Sequence, residues 1–416
     1  MVVDFAHDPS QATSGLWAEI EKRFVMKTMI GLMIALGLAL VTTHFCAAQA
    51  GAPTDLQWIS VKDQRLQWLN VADWEPRGDG LQPVRVAKVW RNKWPARTAG
   101  RAQSAAGVTV RFRTDSKKLV LRVTFIEAPE TPATPEVTWE RSRPSYFDLY
   151  RSGKYAASVA AATKFTQQDV AIYDDPGLSG EAAIEVLFPF YYRNAEVIVH
   201  GIGIEPAAKL QRVEADSRPR VLFHGDSITH GHGATSPRET YVWQACEKAG
   251  CISLNYGFGG TAWADNIVAQ TIASRSDWDM LVIALGTNSF GGLDSTGKPE
   301  TAAQYADKYN AFLATIREHA PAKPILAMTP ILNRSDIKPE KNKNGEIPQA
   351  YRDAITRVIR QRQSSDRNLH LLDGLQLIND RIYLWVTDVV HPNDAGMQRM
   401  ADGVAAALKP LLAGLP

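Results

Sequence analysis

Apolar and polar residues alternate through one half of the chain and gather into short solid runs through the other. Val108, Val110 and Phe112 alternate with Thr109, Arg111 and Arg113. A polar turn over Thr114–Lys118 follows, and Leu119, Leu121, Val123 and Phe125 resume the same period. Period two with turn residues between the runs predicts a hairpin with one buried face. Tyr146–Tyr150, Ile184–Phe188 and Val197–Ile204 predict further strands, and no long amphipathic stretch interrupts them. Residues 51–212 therefore read as an all-β sandwich, jelly-roll-like, with an irregular loop at Ala128–Val137 where three prolines fall close together.

The rhythm changes after a charged, alanine-rich connection (Glu205–Arg220), whose residues 213–220 are read as the linker. Val221–His224, Ile252–Tyr256, Met280–Leu285, Pro324–Met328 and Leu369–Leu372 are short continuous apolar runs. Val242–Ala249, Ala302–His319, Tyr351–Arg362 and Asp394–Leu412 carry helical patterns. Solid apolar strands alternating with helices predict right-handed βαβ units and a parallel sheet covered on both faces, so residues 221–416 form an α/β domain.

The chemistry gathers at the strand ends of that domain. Val221-Leu222-Phe223-His224 runs into Gly225-Asp226-Ser227, which leaves a hydroxyl at the carboxyl end of a strand, where open α/β sheets bind ligands. A serine nucleophile needs a base, and the base needs an orienting partner. His391 is the candidate base, just ahead of a helix, and Asp388, three residues earlier, can fold back onto its imidazole. Two stretches offer donors for an oxyanion: Asn255-Tyr256-Gly257-Phe258-Gly259-Gly260-Thr261 and Gly286-Thr287-Asn288.

These blocks, in this order, resemble the SGNH (GDSL-type) hydrolases, a superfamily of esterases and acylhydrolases on a flavodoxin-like three-layer α/β/α fold. The resemblance covers roughly residues 218–412 and rests on Gly225-Asp226-Ser227, Asn255-Tyr256-Gly257-x-Gly259-Gly260, Gly286-Thr287-Asn288 and Asp388-x-x-His391-Pro392. It implies Ser227 as nucleophile, His391 as base and Asp388 as its partner. It implies the Ser227 and Gly260 N–H groups and the Asn288 side chain as the oxyanion hole, with Gly260 favoured over Gly257 and Gly259 by the family's spacing. Many members carry Asp after the block asparagine; here Ser289 stands there. Phe147-Asp148-Leu149-Tyr150 is similar to a motif of the β-sandwich that precedes the catalytic domain in some secreted members.

Composition refines this picture. The formal charge is only +2 across 416 residues, with no Lys/Arg stripe, which argues against a nucleic-acid partner. Met26-Lys27, the apolar run Met29–Val41 and Ala48-Gln49-Ala50 predict a secretory signal cleaved after Ala50, within an N-terminal extension spanning residues 1–50. A retained membrane anchor is the alternative, although the run is shorter than the ~20 residues a span needs. Cys246 and Cys251 read either as a short-loop disulfide or as two small apolar residues. His224, His230 and His232 lack the spacing of a metal site and are expected near the cleft mouth in the case of His230 and His232. Gly257–Ala262 matches a GxGxxA dinucleotide fingerprint but lies after the second strand of the unit, so neither cofactor nor metal is expected. Trp243, Trp263 and Trp385 read as pocket lining or core, and Asn333–Ile347 as a solvated loop or a lid.

The expectation is an exported, periplasmic or extracellular serine esterase acting on a small-molecule or saccharide ester, acetyl first, with no membrane partner after signal cleavage. Its rivals are an acyltransferase with the same site and a carbohydrate-binding protein whose hydrolase domain is vestigial.

Overall fold

A computed structural model describes residues 55–127, 144–162, 165–190, 195–386 and 388–415. The signal segment and the loop Ala128–Val137 lie outside the described residues. The strands of the N-terminal region are β1 (Gln57–Ile59), β2 (Gln67–Leu69), β3 (Asp73–Arg77), β4 (Gly80–Val84), β5 (Thr109–Thr114), β6 (Lys118–Glu127), β7 (Ser145–Arg151), β8 (Lys154–Ala161), β9 (Gln168–Asp174), β10 (Ala182–Leu187), β11 (Ala195–Ile204) and β12 (Leu210–Gln211). They make two six-stranded sheets, β3-β4-β11-β6-β9 with β1 on β11, and β12-β5-β10-β7-β8 with β2 on β5. Their pairings, among the described residues, are all antiparallel. Phe112, Phe125, Phe147 and Phe188 interlock between the sheets, each fully buried. This is the β-sandwich that alternating sequence requires. Two short helices, α1 (Lys88–Arg91) and α2 (Ala96–Arg101), sit between β4 and β5.

The outer face of β5 is not wet, as simple alternation implies. Thr109 and Arg111 are buried as well. Arg111 pairs with Glu185 on β10 and with Asp216 in the linker, so the connection to the second domain covers this face.

Five parallel strands build the second domain: β13 (Arg220–Gly225), β14 (Ile252–Gly257), β15 (Met280–Ala284), β16 (Ile325–Met328) and β17 (Leu369–Leu372). Their spatial order is β14-β13-β15-β16-β17. That is the flavodoxin-like order, and its switch point lies at the carboxyl end of β13 between β14 and β15. The helices are α3 (Ser227–His230), α4 (Tyr241–Ala249), α5 (Asn266–Ala273), α6 (Ala302–His319), α7 (Arg334–Ile337), α8 (Pro348–Gln363) and α9 (Asp394–Leu412). Core residues of α5, α6 and α8 cover one face of the sheet, and those of α4 and α9 the other. Val221, Leu222 and Phe223 are therefore sealed on both sides, as a solid apolar run demands. Among the described residues no helix is long and apolar enough to cross a membrane.

Candidate active site

The turn after β13 can only be made by glycine. A Cβ on Gly225 would lie 2.2 Å from Thr229 Oγ1 and 2.9 Å from the Ala284 carbonyl. Asp226 caps α3, its carboxylate accepting from the Ile228 N–H at 2.9 Å. Burial pushes its carboxyl upward in pKa. Ser227 is thus the first residue of α3, and its N–H belongs to the helix-start donors that have no acceptor within the helix.

Its hydroxyl meets the loop before α9. Ser227 Oγ lies 2.7 Å from His391 Nε2. His391 Nδ1 lies 2.5 Å from Asp388 Oδ2, while Asp388 Oδ1 accepts from the Val390 and His391 N–H groups at 2.8 and 3.0 Å. Burial alone would raise the Asp388 carboxyl, but the His391 hydrogen bond and charge outweigh it and hold the group at about 2. The loop closes on itself, Val386 N–H donating to the His391 carbonyl at 3.0 Å. Asn393, rather than Asp394, caps α9 through the Gly396 N–H. Asp394 instead accepts from both the N–H and hydroxyl of Thr235 at 2.7 Å, tying the helix to the loop after Ser227.

The glycine block can be read by its hydrogen bonds. Gly257 N–H donates to Asn255 Oδ1, Phe258 N–H to the Gly225 carbonyl and Gly259 N–H to His230 Nδ1. Thr261 N–H donates to the Phe258 carbonyl and Ala262 N–H to Asn288 Oδ1. Among the described residues, the one peptide N–H of 257–262 left without an acceptor is that of Gly260, whose φ is +67°. The Ala262 bond also orients Asn288: with its carbonyl oxygen engaged, the amide NH₂ is turned to the other side. The Asn288 side chain is therefore anchored by loop backbone, although Ser289 stands where many relatives carry Asp.

Most of the remaining residues singled out from sequence fall elsewhere. His230 is not at a cleft mouth. It is fully buried, with Nε2 2.7 Å from Ser104 Oγ of the sandwich domain. It is one turn from Ser227, but on the helix side that the sandwich covers. Since Nδ1 accepts from Gly259, Nε2 carries the proton. Burial pushes its pKa well below the ordinary value, helped by Arg85 and Arg101. His232 does stand beside the site, its ring edge-on to His391 with centroids 4.0 Å apart. Ligand atoms of His232, Asp388 and His391 lie within 4.8 Å of one another, but Asp388 and His391 are already bonded to each other. His224 is buried inside the sheet layer, stacked on Phe312. The GxGxxA match runs into an irregular stretch before α5 rather than opening a helix. The indoles of Trp243, Trp263 and Trp385 each donate to a protein oxygen: Tyr150 Oη, Leu293 O and Asn379 O. Cys246 and Cys251 are free, buried thiols that line a cavity of about 320 Å³ between the domains. Asn333–Ile347 holds α7 and is pinned by Asn344, which donates to the Gly292 and Glu300 carbonyls.

Sequence reasoning missed the contribution of the sandwich domain. Arg85 is fully buried and donates to the Asn255 and Gly257 carbonyls, and Asn70 also reaches the Asn255 carbonyl. Arg101 donates to the Gly259 carbonyl. A single arginine in the apolar run Val84-Arg85-Val86 was the available signal. Asp148 accepts from Ser158 and from the Arg238 N–H, and Tyr150 accepts from Trp243, so Asp148-Leu149-Tyr150 also sits at the domain seam.

Residues 223–399 match the family model described as GDSL-like Lipase/Acylhydrolase. No curated protein matches the sequence. Among solved structures, the chain is similar to a salicylyl-acyltransferase from a tetracycline biosynthetic pathway (22% identity, TM-score 0.74, covering 86% of this chain and 98% of that one). It is similar to a protein described as a GDSL-like lipase from Bacteroides ovatus (20%, 0.69, 86% and 98%). It is also similar to a family two carbohydrate esterase from Cellvibrio japonicus (15%, 0.57, 86% and 98%). These likenesses extend over both domains and show a shared fold. Residues 223–399 thus carry the likeness to the GDSL-like lipase/acylhydrolase family, and that likeness supports a carboxylic ester hydrolase.

Proposed function

We propose that the protein is an exported esterase that removes short acyl groups, acetyl above all, from carbohydrates, with Ser227, His391 and Asp388 as its catalytic residues. The observation that carries this reading is the hydrogen-bonded chain Ser227–His391–Asp388 at the end of β13, whose neighbour β14 leads into a loop with one glycine N–H that has no acceptor of its own. Ser227 Oγ attacks the ester carbonyl and His391 Nε2 takes its proton. Asp388 holds Nδ1–H and stabilises the imidazolium that forms. The oxyanion is bound by the N–H groups of Ser227 and Gly260 and by the Asn288 amide. The alcohol leaves with the proton from His391; water then attacks the acyl-serine, with His391 again as base.

The saccharide preference is supported by the fold shared with a carbohydrate esterase and by the sandwich packed against the catalytic loops. Export is supported by residues 26–50 and is checked by sequencing the N-terminus of protein recovered outside the cytoplasm. The decisive assay is hydrolysis of p-nitrophenyl esters from acetate to long chains, followed by acetylated oligosaccharides, comparing the mature chain with Ser227→Ala. We expect acetate and butyrate to be turned over by the parent and the variant to lose about 10³-fold or more in kcat. A variant as active as its parent would remove Ser227 from the mechanism. Transfer to an alcohol other than water is the second reading, favoured by the fold shared with an acyltransferase. Product analysis in excess acceptor alcohol separates the two.

A further inference from the structure

We propose that Arg101, supplied by the sandwich domain, is a positioning residue for the oxyanion site: it fixes and polarises the peptide group that carries the Gly260 N–H. This rests on the reading of Gly260 as an oxyanion donor. A peptide unit is one conjugated group, so the N–H of Gly260 and the carbonyl of Gly259 share the same dipole. Arg101 Nε donates to that carbonyl at 3.1 Å. A cationic donor on the oxygen draws electron density from the nitrogen side and makes the N–H a stronger donor, since hydrogen bonds in a chain polarise one another.

The surroundings hold this peptide in place. On one side of it, Gly259 N–H is engaged by His230, which is anchored to Ser104. On the other, the Thr261 carbonyl accepts from Thr98 Oγ1 at 3.2 Å. One turn back, Arg85 Nη1 donates to the Gly257 and Asn255 carbonyls at 2.9 and 3.1 Å. Arg85 also donates to the Arg101 carbonyl, to the Ser104 carbonyl and to Ser104 Oγ. Among the described residues no carboxylate pairs with Arg85. Burial lowers its pKa to about 9, which leaves it charged at neutral pH. Its charge is met by carbonyl oxygens of the glycine block and of α2, and by the face of Phe258, 4.9 Å away. Two guanidinium groups from one domain thus grip carbonyls of a loop in the other that carries the spare Gly260 N–H. A loop merely glued to its neighbour would need no cation aimed at the one peptide whose N–H is spare.

The test uses the full mature chain with p-nitrophenyl acetate, comparing the parent, Arg101→Lys, Arg101→Gln and Ser227→Ala. Affinity for a small boronic acid, which forms a tetrahedral adduct on the serine, is measured alongside. We expect kcat to fall in the order parent, Lys, Gln, by about 10- to 100-fold for Gln, with KM within about twofold and boronate affinity falling by the same factor as kcat. The proposal is overturned if Arg101→Gln keeps kcat within twofold of the parent, or if kcat falls while boronate affinity does not. Should Arg101→Gln fail to fold, Arg101→Lys is read alone. A joint fall in kcat and boronate affinity supports the proposal, and a lowered melting temperature with both unchanged overturns it. An inactive Ser227→Ala beside a fully active Arg101→Gln sinks this inference only; an active Ser227→Ala sinks the functional reading beneath it.

Discussion

Val389 sits between Asp388 and His391 with φ +53°. A β-branched side chain in left-handed backbone costs about 1–3 kcal/mol and persists only where neighbours over-determine it. Here they do. Asp388 accepts two N–H groups beyond Val389, and the Val389 N–H donates back to Val386. The same loop is braced from the side of Ser227 by Gly233, φ +97°, where a Cβ would lie 2.1 Å from the Pro392 carbonyl and 3.4 Å from His391 Cβ. Gly233→Ala therefore has to push the base loop away from Ser227. A displacement near 1 Å can cost about 10²-fold in rate, so kcat is expected to drop at least 10-fold while KM changes little. Steady-state kinetics of the folded variant decide it; an unaltered kcat would mean the loop is not braced there. From sequence, Asp388 and His391 were legible because their spacing fits one turn. The strain was not, because nothing in Val389 announces a positive φ.

At the level of elements, β13 carries a titratable group inside the sheet layer. Burial lowers the pKa of His224 to about 4, and its Nδ1 lies 3.1 Å from the Tyr256 carbonyl. The folded form therefore holds a neutral imidazole, whereas the unfolded chain binds a proton near 6.5. Between these two values the unfolded state carries more protons, so stability falls as pH drops from about 6.5 toward 4. His230 has the same sign. Roughly 3 kcal/mol is at stake for His224 alone. Urea midpoints at pH 7.5 and 5 should show a lower value in acid. His224→Asn, which keeps a donor for the Tyr256 carbonyl, should flatten that difference; an equal slope would assign the acid sensitivity to other groups. The parallel strands were plain in the sequence, because a strand covered on both faces must be apolar throughout. Helix α5 was not singled out: it has only eight residues, and its N-cap Asp265 makes no side-chain capping bond.

The two domains are not independent at the scale of the whole molecule. Asn70, Arg85, Thr98 and Arg101 hold the glycine block from the sandwich side, and Asp148 holds the Arg238 N–H in the loop after Ser227. Expressed alone, residues 213–416 lose these donors and expose the apolar seam. We expect such a fragment to be aggregation-prone and to show no turnover of p-nitrophenyl acetate where the full chain is active. A soluble fragment with full kcat would make the sandwich dispensable for chemistry. Sequence periodicity could place the sandwich but not this role. A strand pattern records which residues face a core, while Arg85 and Arg101 reach into another domain whose position only tertiary packing sets.

Modular enzymes are often treated as parts to be recombined, a binding module here and a catalytic one there. This molecule resists that treatment at four side chains. A new sandwich chosen to bind a polysaccharide and spliced onto residues 213–416 has to bring donors where Asn70, Arg85, Thr98 and Arg101 now stand. Without them, the chimera would recognise its target and leave it uncut.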